Sequence, residues 1–413
     1  VADCNTAWES YINKIGRWVD YAQAYRTLDL PYMESVLWVF KQCYDQGLIY
    51  KDYRVTPYCY HCETSLSFSD IRESDSTRPR QDPEVIVRFA ALDAVAGLPT
   101  WYLAWTTTPW TLTSNLVLAV GADFPYAVVE HEGAVYIMAE ALVPKWAKLF
   151  GGKPNVIKTF VGSELVARRY EPVFPYYREL GAEGYFRILA ADFVTLDEGV
   201  GVVHCAPAFG EDDYWRCKRN GLGVRNPVDA RGCFTADIPE FAGQNVHAAN
   251  KDVIRALKSN GALMHHSTIE HNYPHCWRCR TPLIYRAMDA WYFAVDKIKD
   301  RLLKHNEEIN WVPEHVKHGR FGKWLEGARD WNISRSRYWG TPIPVWRCEG
   351  CGANDCFGSV AELRGRALPE SVGLPDGDKL DLHRPYVDRI EVGCQKCGGI
   401  MRRVKEVMDV WFD

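Results

Sequence analysis

Residues 101–120 read WYLAWTTTPWTLTSNLVLAV. A strand-like run, Trp101–Thr106, leads into a polar bend around Pro109, and a second strand-like run, Leu116–Val120, follows. Short β-branched and aromatic runs bounded by Pro, Gly and small polar residues predict strands. The signal repeats outward in both directions. Val85–Phe89 precedes it. Tyr126–Glu130 and Ala134–Ala139 follow, with Glu132-Gly133 as the hairpin turn between them. Phe186–Ala190 and Val200–Cys205 continue the pattern. A helix is expected over 250–260, with Asn250 as its cap, Val253, Ile254 and Leu257 facing inward, and Gly261 past its end. Residues 80–272 therefore read as one mainly-β domain with a few helices.

Two amphipathic helices precede this domain. Trp8, Tyr11, Ile12, Ile15, Trp18 and Val19 recur at helical spacing over 5–21, and their aromatic face is expected to be core. Over 31–46, Pro31 suits a first turn, Val36, Leu37, Phe40, Cys43 and Tyr44 form a stripe, and Gly47 suits the position after the last turn. Residues 63–82, rich in Ser, Arg and Asp, read as a polar linker.

The 413 residues carry 49 basic and 53 acidic side chains, a formal charge of −4, with 47% apolar and 25% charged residues. That composition excludes a disordered or collagen-like chain. The near-neutral balance argues against a wholly basic nucleic-acid coat and leaves room for a local basic surface. No apolar run approaches the ~20 residues of a membrane helix, and Val1–Ser10 has neither the basic nor the apolar region of a signal peptide. The chain starts at Val1 and stops inside the apolar run Val407–Asp413. Natural termini are mostly polar and exposed, so a fragment of a longer chain is expected.

Eight of the fourteen cysteines fall into four C-x-x-C pairs: Cys59/Cys62, Cys276/Cys279, Cys348/Cys351 and Cys394/Cys397. Random placement gives about half a pair. Each such turn aims two thiolates at one point, and two turns complete a tetrahedral zinc site, so two Zn²⁺ are expected. Pairing Cys59/Cys62 with Cys276/Cys279 would clip together the two ends of an inserted domain; pairing Cys276/Cys279 with Cys348/Cys351 is equally open at this point. His61 and His275 read as surface residues, and Cys356 is a rival ligand to Cys348 or Cys351.

Three stretches carry candidate chemistry. The first is the bend, where Thr106, Thr107, Thr108, Thr111, Thr113, Ser114 and Asn115 gather around Pro109. Such a cluster is either a plain polar turn or a hydroxyl-rich cradle for a polar ligand and a water. The second is His204–Tyr214, where a buried-type strand delivers His204 to a loop followed by Glu211, Asp212 and Asp213. The third is Arg329–Pro342, whose Arg335 and Arg337 sit among aromatics, as phosphate contacts often do. Gly199-x-Gly201 does not complete a dinucleotide-binding motif, since His stands at 204, and no Walker loop, H-E-x-x-H or G-x-S-x-G occurs.

Together these stretches resemble the isoleucyl-tRNA synthetases, class I aminoacyl-tRNA synthetases. The resemblance is carried by Trp105–Asn115, His204–Asp213, Tyr273–Cys279, Trp311-Val312-Pro313, Gly319-Arg320-Phe321, Ser334–Gly340 and Asp409–Asp413. It implies a mixed α/β and β fold. Part of a split Rossmann catalytic domain carries a mainly-β editing insertion and zinc knuckle modules. By that resemblance, 1–62 is a helical part of the catalytic domain with the first knuckle, and 80–272 is the editing domain. Residues 273–340 return with the partner knuckle, 341–405 are a second zinc-bound insertion, and 406–413 begin a further catalytic-domain strand. The two ATP-binding signatures are absent, so ATP and Mg²⁺ are expected only for the full-length enzyme, and synthesis by this stretch alone is not.

The resemblance further implies hydrolysis of mischarged valyl-tRNA(Ile). Asp213 would pair with the substrate ammonium, and His204 would wall the pocket against isoleucine. Thr106, Thr107, Thr108, Thr111 and Asn115 would hold the terminal adenosine, the aminoacyl group and a water; Trp110 would line the pocket. Trp411 matches a tryptophan of the isoleucine pocket. Leu112-Thr113-Ser114 departs from the Leu-Pro-Gly turn common before that Asn. A cytoplasmic monomer with tRNA(Ile), isoleucine and ATP as partners is implied. The competing readings are a zinc-ribbon tRNA-binding module without hydrolysis, and a valyl- or leucyl-tRNA synthetase relative.

Overall fold

The computed structural model describes residues 2–413 except 22, 67–70, 72–75, 337, 338, 370 and 372–379. Part of the 63–82 stretch, and Arg337 with Tyr338, therefore lie outside the described residues. The chain forms two compact units: Val1–Lys51 with Trp291–Asp413, and Asp52–Ala290. The architecture is mixed α/β and mostly sheet.

In the first unit, α1 (Ala2–Lys14) is shorter than the periodicity predicts. Gly16 adopts φ +76° and ends it. Its N–H reaches Asn13 O, and Arg17 N–H reaches Ile12 O, the paired bonds of a left-handed helix stop. Within this unit Trp8, Tyr11, Ile15 and Trp18 are exposed, contrary to the expected core face. Apolar spacing reports which residues share a face, and says nothing about whether a partner covers it. The second helix, α2 (Leu30–Asp45), follows its prediction closely and buries Met33, Val36, Leu37 and Phe40. Farther along, Val345–Cys348, Asn354–Cys356, Val392–Gly393 and Ile400–Arg403 form a small antiparallel sheet.

The chain enters the second unit along β1 (Ile49–Cys59), which pairs with β2 (Thr64–Ser65). Next come β3 (Thr77–Ala90), β4 (Thr100–Thr106), β5 (Val117–Val120), β6 (Pro125–His131), β7 (Ala134–Ala139) and β8 (Asn155–Val161). The short helix α3 (Gly162–Leu165), β9 (Ile188–Ala190), β10 (Val202–Cys205), α4 (Glu211–Arg219), α5 (Val246–Ser259), β11 (Leu263–Pro274) and β12 (Ile284–Phe293) complete the sequence. One sheet has the order β11-β3-β4-β7-β6-β8 and another β10-β5-β9. The unit thus takes in the first cysteine knuckle as well as 80–272.

Glu132 and Gly133 both have positive φ, as the two-residue turn between β6 and β7 requires. Strand β3 begins at Thr77, inside the run expected to be a linker. Its polar start (Arg78, Arg80, Asp82) pairs along β11. A two-stranded ribbon leaves much of both faces in solvent, so hydropathy does not flag it. Every residue of β5 is buried, as are Val85, Ile86 and Val87 of β3 and Tyr102, Leu103 and Ala104 of β4. Strands covered on both faces read as continuous apolar runs, which is why these were plain in the sequence.

Gly201 explains the Gly199-x-Gly201 pair. It sits at φ +75°, and an added Cβ would lie 2.2 Å from Ala139 Cβ. Its carbonyl accepts from the buried Tyr126 hydroxyl at 2.7 Å. The glycine serves close strand packing, not phosphate binding.

Helix α5 starts a turn before the expected boundary. Asn245, not Asn250, is the cap; its Oδ1 accepts from His247 N–H at 3.1 Å. Asn250 lies on the buried face instead, where its Oδ1 accepts the Trp110 backbone N–H at 3.1 Å. No described helix is long and apolar enough to cross a membrane.

Candidate functional site

The polar bend is a buried turn of 3₁₀-helix, Pro109–Ser114, set between β4 and β5. Strand β5 pairs antiparallel with β10, placing Leu118 opposite His204 and Val117 opposite Cys205. Leu116 N–H also reaches Cys205 O at 3.0 Å. The end of β10 therefore arrives where the bend ends, and two motifs some ninety residues apart meet.

Their meeting point is a hydrogen bond between Thr111 Oγ1 and His204 Nε2, 3.0 Å long. Thr111 Oγ1 donates its one proton to Thr108 O at 2.8 Å. It can then only accept from His204, which fixes the neutral imidazole as the Nε2–H tautomer. Thr108 Oγ1 lies 3.3 Å from Thr111 Oγ1 and 3.1 Å from Thr106 Oγ1, and Thr106 Oγ1 accepts from Thr108 N–H at 3.1 Å. With Thr111 committed, the protons run one way, from Thr106 to Thr108 to Thr111. Thr107, half-buried, takes no part in this chain.

Burial lowers the His204 pKa to about 4, so the ring is neutral at pH 7. Its Nδ1 has no partner among the described residues, and neither have Trp110 Nε1 or Ser114 Oγ. The Trp110 ring meets Phe209 edge-on at 4.7 Å between centroids, a second link between bend and loop.

Asp213 lies in the first turn of α4, where three acidic residues face the positive end of the helix dipole. Its Oδ2 accepts from Ala206 N–H at 2.9 Å. The carboxylate keeps some exposure, yet enough protein surrounds it that burial raises its pKa to about 6 despite that bond. Gly210 makes the placement possible, because a Cβ there would fall 2.6 Å from Asp213 Oδ2. Local pattern does not reveal this requirement.

Asn115 is turned into the protein behind the bend. It is buried, its Nδ2 donates to Val117 O at 3.0 Å, and its Oδ1 accepts from Tyr170 OH at 2.7 Å. Both ends of the amide are committed to holding the bend. Tyr170, like Asn250, is a supporting residue that sequence reasoning missed, since nothing local marks a partner so distant along the chain. Trp411 belongs to the first unit, where it is 86% exposed. Arg335 is also committed, paired with Asp409 and donating to Asn332 O and Ser334 O.

The four C-x-x-C turns resolve into two groups, Cys59/Cys62/Cys276/Cys279 and Cys348/Cys351/Cys394/Cys397, each with its sulfurs within 4.8 Å of one another. Cys59 and Cys279 sulfurs are 3.4 Å apart, as are Cys348 and Cys397, and Cys351 and Cys394 are 3.7 Å apart. A disulfide needs about 2.05 Å. Four thiolates about 2.3 Å from a zinc ion lie about 3.8 Å apart at tetrahedral angles. Donor chemistry and spacing thus fit zinc. His275 is engaged with Tyr273 O, His61 is exposed, and Cys356 is in neither group.

The family model for tRNA synthetases class I (I, L, M and V) matches residues 1–413. The chain belongs to that family of class I tRNA synthetases. The relatives it resembles are more particular. It is 45% identical to the isoleucine–tRNA ligase of Treponema denticola, over 98% of this chain and 39% of that protein. It is 46% identical to the isoleucine–tRNA ligase of Mycobacterium leprae, over 98% and 39%. Isoleucine–tRNA ligase 2 of Pseudomonas fluorescens is 44% identical over 98% and 38%. The chain spans about two fifths of the length of these curated relatives. Among solved structures, a LeuRS CP1 structure aligns at 16% identity and TM-score 0.37, over 45% of this chain and 99% of that one. A LeuRS–tRNA–LeuAMS complex from Agrobacterium radiobacter aligns at 16% identity and 0.32, over 100% and 46%.

Two outcomes follow from this geometry. Metal analysis of the purified chain gives two zinc per molecule, and Cys59→Ala/Cys62→Ala gives one; unchanged zinc in that variant contradicts the grouping. Asp213 has its pKa raised from 3.8 to about 6. The folded state therefore binds its proton more tightly than the unfolded state does, and this contribution to stability, complete below pH 3.8, is lost as pH rises to about 6. Relative to Asp213→Asn, the wild-type chain loses unfolding free energy across that window in urea titrations. Parallel curves contradict the burial argument.

Proposed function

We propose that the chain is a central part of an isoleucine–tRNA ligase and that its second unit hydrolyses valine esters from mischarged tRNA(Ile). A synthetic pocket separates isoleucine from valine by one methylene, which hydrophobic contact discriminates poorly, so a second, hydrolytic site is needed. The observation that carries the reading is the joined bend and loop. A one-way chain of hydroxyls meets a neutral imidazole, and the Asp213 carboxylate is held by Ala206 N–H, two residues past that imidazole.

In this reading the carboxylate of Asp213 pairs with the α-ammonium of the valyl ester. The incoming cation pulls the Asp213 pKa back down, so the contact strengthens as the substrate binds. His204, neutral and held by Thr111, forms a fixed wall. Thr107 and Thr108 face the ester and a water. Water attacks the ester carbonyl, the bond to the ribose oxygen breaks, and free valine and the 3′-terminal hydroxyl are released. No side-chain nucleophile or metal is required, because positioning supplies much of the rate. Asn115, Tyr170 and Asn250 act behind the bend, as positioning residues.

Zinc in both cysteine groups would be structural, with four protein sulfurs and no open position. In the intact protein the partners would be isoleucine, ATP with Mg²⁺, and tRNA(Ile).

The test is a deacylation assay with valyl-tRNA(Ile) and isoleucyl-tRNA(Ile) side by side. The chain releases valine in preference to isoleucine, and Asp213→Asn slows this by about 10- to 100-fold, the scale of a lost charge-assisted contact. Absence of valine release, or an unchanged rate in the variant, rejects the reading in favour of tRNA binding without hydrolysis.

A further inference from the structure

Inside the second unit, a run of direct contacts leads from the cysteine group Cys59/Cys62/Cys276/Cys279 to the threonine bend. We propose that zinc in this group positions the bend, with Tyr60, His247 and Asn250 as the positioning residues between them. The inference rests on the zinc reading of these four cysteines and is independent of the hydrolytic reading.

The knuckle has little core of its own. Its buried cluster among the described residues is Cys59, Leu66, Cys276 and Leu283. Burial on that scale does not fold two separate turns, so metal binding supplies the folding energy. Zinc-loaded and zinc-free are thus two distinct states of the knuckle.

Two routes run from the knuckle to α5. On the first, Tyr60 stands between the ligands Cys59 and Cys62, and its ring meets the His247 ring at 5.8 Å between centroids. Gly232 lets the neighbouring loop close on it: φ there is +70°, and a Cβ would fall 2.8 Å from Tyr60 Cβ. The Gly232 carbonyl accepts from Val246 N–H at 2.9 Å, and the Tyr58 hydroxyl donates to Ala230 O at 2.9 Å. The loop gripped by the knuckle therefore holds the first turn of α5.

On the second route, β11 runs toward the ligand Cys276. Its Tyr273 hydroxyl donates to Leu283 O at 2.8 Å, and its ring meets His247 edge-on at 6.3 Å. Arg80 ties the two together. Its guanidinium lies 4.8 Å from the Tyr273 ring centroid, and its Nη2 donates to His247 Nδ1 at 3.2 Å.

The last step crosses α5. His247 and Asn250 are at i and i+3, so they share a face of the helix. Asn250 Oδ1 accepts the Trp110 backbone N–H at 3.1 Å. Trp110 O accepts from Thr113 Oγ1 at 2.9 Å, and the Trp110 ring meets Phe209 of the His204 loop. A knuckle that loosens releases His247 from both routes, and the hold of Asn250 on the bend weakens with it. Contiguous packing and hydrogen bonds carry coupling of this kind when one end has two states.

Hydrogen-exchange mass spectrometry on the full chain tests it. The peptide over 105–116 reports the bend, the peptide over 126–139 reports β6 and β7, and metal analysis accompanies each sample. Cys59→Ala/Cys62→Ala loses one zinc and speeds exchange at the bend by about tenfold, the scale of one loosened hydrogen bond, with β6 and β7 unchanged. Cys394→Ala/Cys397→Ala also loses one zinc and leaves the bend at the wild-type rate. Asn250→Ala, with both zinc ions retained, matches the first variant, and combining the two adds little, because both cut the same chain of contacts. Tyr60→Phe keeps the ring and wild-type exchange, whereas Tyr60→Ala quickens it.

A bend that ignores loss of the first zinc, or responds equally to loss of the second, overturns the proposal. If the first cysteine variant loses structure throughout the unit, the Tyr60 pair decides: equal exchange in Tyr60→Phe and Tyr60→Ala overturns it. A wild-type chain without zinc in this group overturns the zinc reading and the inference together. Two bound zinc ions with an indifferent bend overturn the inference alone. A chain that shows the expected exchange pattern yet releases no valine refutes the hydrolytic reading and supports the coupling.

Discussion

The register of β10 against β5 is the constraint on which the candidate site depends. Val117 faces Cys205 and Leu118 faces His204. Since β5 leaves directly from the bend, this register alone sets the imidazole beside Thr111 and starts the loop to Asp213 at the right point. A slip of one residue would turn His204 to the opposite face and break the contact. The register is well specified, because all of β5 and most of β10 are buried. Gly201 adds to it by allowing the chain just before β10 to pass close against Ala139.

Around that join, each polar group restrains the next. Asn250 and Asn115 hold the two ends of the bend, Tyr170 holds Asn115, and the threonine hydroxyls orient one another toward the imidazole. A connected network of this kind keeps its shape because any displaced member would be buried without a partner. The carboxylate of Asp213 is bound into this loop, tied to Ala206 N–H and kept in place by the missing side chain at Gly210. A cation is the ligand such a group favours, and this chemistry underlies the proposed recognition of an aminoacyl ester.

Much of this was legible in the sequence, for reasons that differ by element. Buried strands announced themselves as apolar runs, and the β6–β7 turn by Glu132-Gly133. The C-x-x-C spacing disclosed the candidate metal ligands, while their grouping needed the fold to bring Cys59/Cys62 and Cys276/Cys279 together. Other features were hidden. The ribbon of Arg78, Arg80 and Asp82 has no hydropathic signature. Asn250 was expected as a cap from its residue type, and only tertiary packing decides that it serves Trp110 while Asn245 caps the helix. Asn115 looked like a ligand-facing amide because its type and neighbours fit, yet its direction depends on Tyr170, fifty-five residues on. Local pattern identifies which residues matter more readily than which way they point.

The claim at the centre of this account is that the bend and the His204 loop form one site, joined by the Nε2–H of a neutral imidazole. Nitrogen NMR of His204 tests it most directly. The account predicts the Nε2–H tautomer at pH 7 and a pKa of about 4. A ring in the Nδ1–H form, or one titrating near the ordinary value of 6.5, would contradict it.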